Sequence, residues 1–386
     1  MEEYIKLKIK MLQASHGDCM LMELNTNNNK VFTILIDGGT EDSYKNQIRE
    51  NLEEYLEGDK KIDLVIITHS DDDHISGMNY ILKNKKIVSK IEKVIYNSPY
   101  AVGKYLSKWD GEDLTKSIPP KVIEKTNISS GFRKIKKNDN ANEENNAEKS
   151  VNTSALKANE LQQILFDLEK LNMNLVTNNG ESDIEEKGIS ICFLSPTLEL
   201  LENFYKKYKA DIDEGKRNIL SANTGRAKSD YNISFNELIK NTEIKKLSKY
   251  NMASLAFIVY EQCTSQSILI MGDSSYKVVT EKLLTLKDKD GLLYGQNNPL
   301  RLDYLKVSHH GSICDLTEEF LKIIDCKKFL ISTDGSSFNH PDKKLIARIY
   351  NKINDATFYF NYDERMNKIT KEGGIIKKIC KYKKEF

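Results

Sequence analysis

The sequence predicts an α/β chain folded as a four-layer αββα sandwich, because two runs of strand-like segments are each closed by amphipathic helices. The first run covers residues 4–12, 19–24, 31–36, 64–68 and 93–97; the second covers 189–194, 254–260, 267–271, 304–307 and 328–332. A third observation organises the rest: the apolar strand 64–68 ends abruptly in His69, Asp71, Asp73 and His74. Four potential ligands in six residues are hard to explain by packing, because carboxylates this close repel one another unless a cation or a proton intervenes.

In chain order, the first three segments are joined by short loops and read as an antiparallel meander. Asp37 sits at the end of the third, before Gly38 and Gly39, whose backbone freedom brings this loop close to another. Ile48, Leu52, Tyr55 and Leu56 recur at helical spacing and place a helix before the central strand. The ligand-bearing stretch then reads as a loop up to Gly77, with a helix from Met78. Residues 100–187 change character and read as a helical and polar insertion over the mouth of the site, within a single domain spanning 1–386. Its segment 136–149 is nearly devoid of apolar residues and cannot offset its ordering entropy, so it reads as a mobile loop or an exposed helical extension. A better helix follows from 154 to 171, with Leu161, Ile164, Leu165 and Leu168 on one stripe.

Beyond strand 189–194 comes a helix from 198 to about 207, then a second polar excursion to residue 250 containing Lys216, Arg217, Arg226 and Lys228. Segments 254–260 and 267–271 form a hairpin that ends in Gly272-Asp273. Strand 304–307 leads into His309-His310-Gly311, and strand 328–332 leads to His340-Pro341. The lysine-rich tail 375–384 reads as a solvated edge strand protected by its charges, with a basic groove for nucleic acid as the alternative.

Bulk properties exclude several classes. With 58 Lys and Arg against 57 Asp and Glu, the net charge is +1, so nothing global draws the chain to nucleic acid or anionic membrane. The six cysteines are scattered without a Cys-x-x-Cys pair, which suits a reduced compartment. No stretch has the length and apolarity to cross a bilayer, so the expectation is a soluble cytoplasmic protein without a membrane partner.

Thr68-His69-x-Asp71-x-Asp73-His74-x-x-Gly77 resembles the metal loop of the metallo-β-lactamase superfamily, with Asp71 where that loop usually has its second histidine. This departure is similar to the ComEC-like branch, which includes hydrolases found near bacterial defence genes. The resemblance implies a metallo-β-lactamase-like sandwich holding two divalent ions, Zn or Mn. His69 and Asp71 match ligands of one ion, Asp73 and His74 those of the other, and Asp273 the carboxylate that bridges both. His309, first after its strand, matches the late histidine ligand, with His310 facing substrate or replacing it. Asp37 matches a carboxylate that supports the metal loop from behind.

No histidine occurs between His74 and His309; Asn251 and Ser254 stand at the matching place, with weaker oxygen donors that would loosen one site or favour a harder ion such as Mn²⁺. Ser332 and His340 match a final polar motif that approaches the site, where both would contact a phosphate oxygen and His340 would protonate a leaving group. The alternative is that His340 caps the helix near Pro341, and His16 reads as structural. Asp73, Asp273, His310 and His340 are the catalytic candidates. The implied reaction is phosphodiester hydrolysis by a metal-bound hydroxide, with nucleic acid the favoured substrate and anti-phage defence the implied setting. A small-molecule ester, lactone or phosphoester hydrolase, or a subunit needing a protein partner from a defence operon, are the alternatives.

Overall fold

The computed structural model describes residues 7–110, 114, 153–217, 229–240 and 245–386. Strands β1 (Lys8–Met11), β2 (Met20–Asn25), β3 (Val31–Ile36), β4 (Ile62–Ile67) and β5 (Ile91–Tyr96) lie side by side in that order as the first sheet. β1 to β3 pair antiparallel through short loops, whereas β3, β4 and β5 are parallel and joined by helical crossovers.

The second sheet uses β6 (Ile184–Glu186), β7 (Ile189–Ser195), β8 (Ala256–Glu261) and β9 (Gln266–Ile270) as an antiparallel half. After β10 (Leu300–Leu302), strands β11 (Tyr304–Lys306), β13 (Lys328–Ile331), β14 (Thr357–Phe360) and β15 (Cys380–Tyr382) add a parallel half beside β9. β10 pairs separately with β12 (Ile324–Cys326).

The two-residue period of each strand builds the layers. On β4, Leu64 and Ile66 face the second sheet, in a core shared with Phe193, Phe257, Ile268 and Ile270, while Val65 and Ile67 face outward onto helices. β9 does the same, with Leu269 turned to the opposite helical layer. Burying each such side chain stabilises the fold by about 1.5–3 kcal/mol, and a slip of one residue would present the wrong set to each layer. The outer layer on the first sheet contains the helices Arg49–Tyr55, Asp72–Lys83 and Thr153–Asp167; on the second it contains Tyr276–Leu283, Glu318–Lys322 and Lys343–Lys352. The αββα arrangement predicted from the strand runs is therefore the observed one.

Several local expectations change. The helix after β4 starts at Asp72, with Asp71 as its N-cap, so Asp73 and His74 occupy its first turn and do not project from a loop that lasts to Gly77. Asp72 and Asp73 in the first turn suit the partial positive charge there. The helix from Leu198 runs to Arg217, well past residue 207. Within the segment read as an insertion over the mouth, the helix Thr153–Asp167 instead lies in the outer layer against Asp72–Lys83, and β6 is the edge strand of the second sheet. Segment 136–149, Arg226 and Lys228 lie outside the described residues. The lysine-rich tail is half helix (Gly374–Ile379) before it becomes the edge strand β15. No described helix is long and apolar enough to cross a membrane.

β3 and β4 run parallel, as do β9, β11 and β13. Their carboxyl ends deliver Asp37, His69, Asp273, His309, His310 and Ser332 to one edge of the sandwich. Strand ends of this kind are where open α/β sheets place their sites.

Candidate metal centre

His74 and His310 present Nε2 atoms 3.2 Å apart, from opposite sheets. Asp73 Oδ2 lies 3.4 Å from His310 Nε2, and Asp273 reaches both rings, Oδ1 at 3.5 Å from His74 Nε2 and Oδ2 at 3.7 Å from His310 Nε2. Donors bound to one tetrahedral ion at about 2.0–2.1 Å must stand about 3.3 Å from each other. The spacing of His74, Asp273 and His310 therefore suits a cation, with Asp18 completing a cluster of donors within 4.8 Å of one another and Asp73 beside His310.

Each imidazole is aimed from behind. Asp37, fully buried with φ 56°, accepts the Thr68 N–H on Oδ1 at 2.7 Å and the Thr68 hydroxyl on Oδ2 at 2.7 Å, and faces His74 Nδ1 at 2.8 Å. With its proton committed to Asp37, the Thr68 hydroxyl accepts from His69 Nδ1 at 3.0 Å. One aspartate thus sets the tautomers of His69 and His74, leaving both Nε2 atoms as acceptors.

The second group of donors is thinner. His69 Nε2 is 3.6 Å from Asp71 Oδ2 and 3.8 Å from Asp273 Oδ2. His69 Nε2 and Asp273 Oδ1 are both buried without a hydrogen-bond partner among the described residues, a costly state that a cation would relieve. Asn251, at the place of the superfamily's further histidine, does not offer its oxygen: Oδ1 is taken by the Ser248 hydroxyl, and Nδ2 donates to Asp273 Oδ2 at 3.3 Å. Ser254 Oγ accepts the Asp273 N–H at 3.1 Å and likewise only holds the bridging carboxylate in place.

The His309-His310 pair is folded unusually, with φ 47° and 53°. Left-handed non-glycine residues cost about 1–3 kcal/mol each and persist where neighbours enforce them. Here Ser308 does so, its hydroxyl donating to Ser274 O at 2.6 Å and its N–H to Tyr276 Oη at 3.1 Å. This turn reverses the expectation that the first histidine enters the cluster. His310, with 2% of its side chain exposed, joins Asp18, His74 and Asp273, whereas His309 is 25% exposed at the rim, 3.7 Å from Asp273 Oδ2.

His340 packs on His309 with ring centroids 5.2 Å apart and does not cap a helix; Asp342 occupies that N-cap position. Ser332 is displaced from its expected role. Fully buried, it donates to Gly17 O at 3.2 Å, and its carbonyl faces His310 Nδ1 at 3.2 Å, so both groups are engaged within the protein. His16, half buried, stands 3.4 Å from the Ser336 hydroxyl. Two contributors escaped the sequence reading: Thr68, visible only as the residue before His69, and Asp18, in the Gly17-Asp18 pair before β2.

Burial pushes the imidazole of His310 down, but Asp273 and then Asp18 overcome it and lift it to about 10; the same contest, led by Asp273 and Asp37, raises His74. These carboxylates favour the protonated form of each ring in the metal-free protein, whereas a ligand ring must be neutral. Metal binding is expected to release protons, with affinity rising as pH rises toward 10. Calorimetric titration with Zn²⁺ in buffers of different ionisation enthalpy checks this, and buffer-independent heats would count against it. His309 behaves oppositely: burial, then His340 and His310, outweigh Asp273 and push it down to about 3, so it stays neutral.

No curated protein matches the sequence. Among solved structures, a mutant of the CmlA β-hydroxylase is similar at 10% identity and TM-score 0.35, over 100% of this chain and 54% of that one. A long form of RNase Z from yeast is similar at 9% identity and TM-score 0.35, over 85% of this chain and 37% of that one. The chain thus spans about half or less of the length of these structures. Residues 14–138, which carry Asp37, His69, Asp71, Asp73 and His74, match the family model of the metallo-β-lactamase superfamily, and the αββα sandwich around them has the fold that their motif implied.

Proposed function

We propose that this chain is a metal-dependent phosphodiesterase acting on nucleic acid. The observation that carries the metal part of this reading is the convergence of the His74 and His310 Nε2 atoms, 3.2 Å apart, on Asp73 and Asp273. Divalent ions held there, and beside His69 and Asp71, would lower the pKa of water toward about 7 and polarise a phosphoryl oxygen. Asp273 would share its two oxygens between the two groups of donors, held by Ser254 and Asn251. His309, neutral and at the rim, is placed to hydrogen-bond a non-bridging oxygen, and His340 behind it to pass a proton to the leaving group.

Two features support a nucleic acid as the substrate. Asp71 in the motif resembles the ComEC-like form, and that resemblance also motivates the proposed setting in bacterial defence. Phe338, 43% exposed and 6.0 Å from the His340 ring, offers a face on which a base can stack at the mouth. The cavity behind His69, lined by Leu201, Phe204 and Tyr250, is about 10 Å³ and holds at most one water, too little for a substrate.

The test pairs elemental analysis with Mn²⁺- and Zn²⁺-supplemented assays on single- and double-stranded DNA, RNA and a generic phosphodiester. About two metals per chain and nucleic-acid cleavage that falls at least roughly a hundredfold in His69→Ala are expected. Cleavage of the small ester alone would reassign the protein as a small-molecule hydrolase. Metal without turnover would point to a subunit that requires a partner.

A further inference from the structure

We propose that Asp18 and Lys306 form a positioning pair that aims His310 at the metal, an inference that rests on the metal-centre reading above. Asp18 lies in the loop between β1 and β2 of the first sheet, and Lys306 is the last residue of β11 in the second. Lys306 has no exposed surface, and an ammonium ion there is tolerable only if paired and hydrogen-bonded. Its Nζ donates to Asp18 Oδ2 at 2.5 Å and to Val307 O at 3.1 Å.

That pairing uses one oxygen of Asp18. The other, Oδ1, is buried without a hydrogen-bond partner among the described residues and lies 3.5 Å from His310 Nδ1. The ring nitrogen also faces Ser332 O at 3.2 Å, so two acceptors hold the proton on Nδ1 and leave Nε2 for the cation. His310 is thereby backed by a carboxylate as His74 is backed by Asp37.

The loop that carries Asp18 is keyed to both halves of the site. Gly17 lies so close to the ligand helix that a Cβ there would be 1.8 Å from Asp73 O, and its own carbonyl accepts from the Ser332 hydroxyl. Lys306 needs a carboxylate where β11 ends, and His310 needs one four residues later. Asp18 serves both, so the ion pair that joins the two sheets also sets the ring that completes the centre.

The test is Co²⁺ binding to the full chain, read as the dissociation constant by chelator competition and as the visible spectrum at saturation. Asp18→Asn is expected to weaken Co²⁺ about 10–100-fold and shift the visible band with the coordination number unchanged. Should that variant fail to fold, Asp18→Asn combined with Lys306→Met removes both buried charges at once, and the same weakening is expected. A lowered Tm with unaltered affinity and spectrum would overturn the inference, because the pair would then be purely structural. A lower coordination number would overturn it too, by making Asp18 a ligand. Wild-type protein that binds no Co²⁺ would overturn the metal reading and this inference together, whereas metal-binding wild type with an unchanged variant would overturn this inference alone.

Discussion

Asp273→Ala is expected to empty the site of metal and lower hydrolysis roughly a thousandfold or more, with the fold retained. Among the described residues, Asp273 is the carboxylate whose oxygens reach toward both groups of donors, Oδ1 to His74 and Oδ2 to His69, His309 and His310. Burial pushes its carboxyl up, but His310, His74 and His309 overcome this and hold it far below the usual carboxylate range, so it is ionised. Alanine removes that charge from the centre. The fold survives because His74 keeps Asp37 and His310 keeps Asp18 as partners in the metal-free protein. Elemental analysis and turnover should fall together, with the circular dichroism spectrum unchanged. Wild-type turnover in this variant would sink the proposed metal-dependent mechanism.

Gly77→Ala is expected to destabilise the protein by about 3 kcal/mol or more and to cost it metal, although residue 77 bears no ligand. A Cβ there would stand 2.0 Å from Gly38 O and 3.0 Å from Thr40 O, both backbone atoms that cannot rotate aside. The contact is reciprocal: Gly77 N–H donates to Gly39 O at 2.8 Å, and Gly38 N–H donates to His74 O at 2.9 Å. Pushing the helix off this turn draws His74 away from Asp37. Gly295→Ala, with nothing within 4 Å of its Cβ, is the control and should leave both properties unchanged. Denaturant unfolding with metal analysis checks the pair; a Gly77→Ala variant as stable as Gly295→Ala would show that the helix and turn are not in fact so close.

The layered fold was legible because its signal is local. Leu64, Val65, Ile66 and Ile67 form an unbroken apolar run, as a strand covered on both faces must, and this marks a buried strand before any partner is known. The ligand types at strand ends were legible for a related reason: His69, Asp71, Asp73 and His74 are too dense a charge cluster for packing to explain. The start of the ligand helix was not, because acidic residues suit a first helical turn as well as a loop. Nor was the role of Asn251, which depends on the Ser248 hydroxyl taking its oxygen and turning its amide nitrogen toward Asp273.

What the sequence determined by itself was the α/β layering, the strand-end positions of the candidate donors and their chemical types, since these follow from periodicity and from charge density along the chain. Only the tertiary structure set His309 at the rim and His310 in the cluster, through two left-handed residues held by Ser274 and by Tyr276 at the start of the next helix. Only it brought Asp18 and Lys306 together across 288 residues, and it turned Ser332 from a substrate contact into a support for His310. The physical reason is the same in each case. A side chain's direction depends on backbone angles and partners that are set when the two sheets close on each other, and sequence spacing carries no information about that closure.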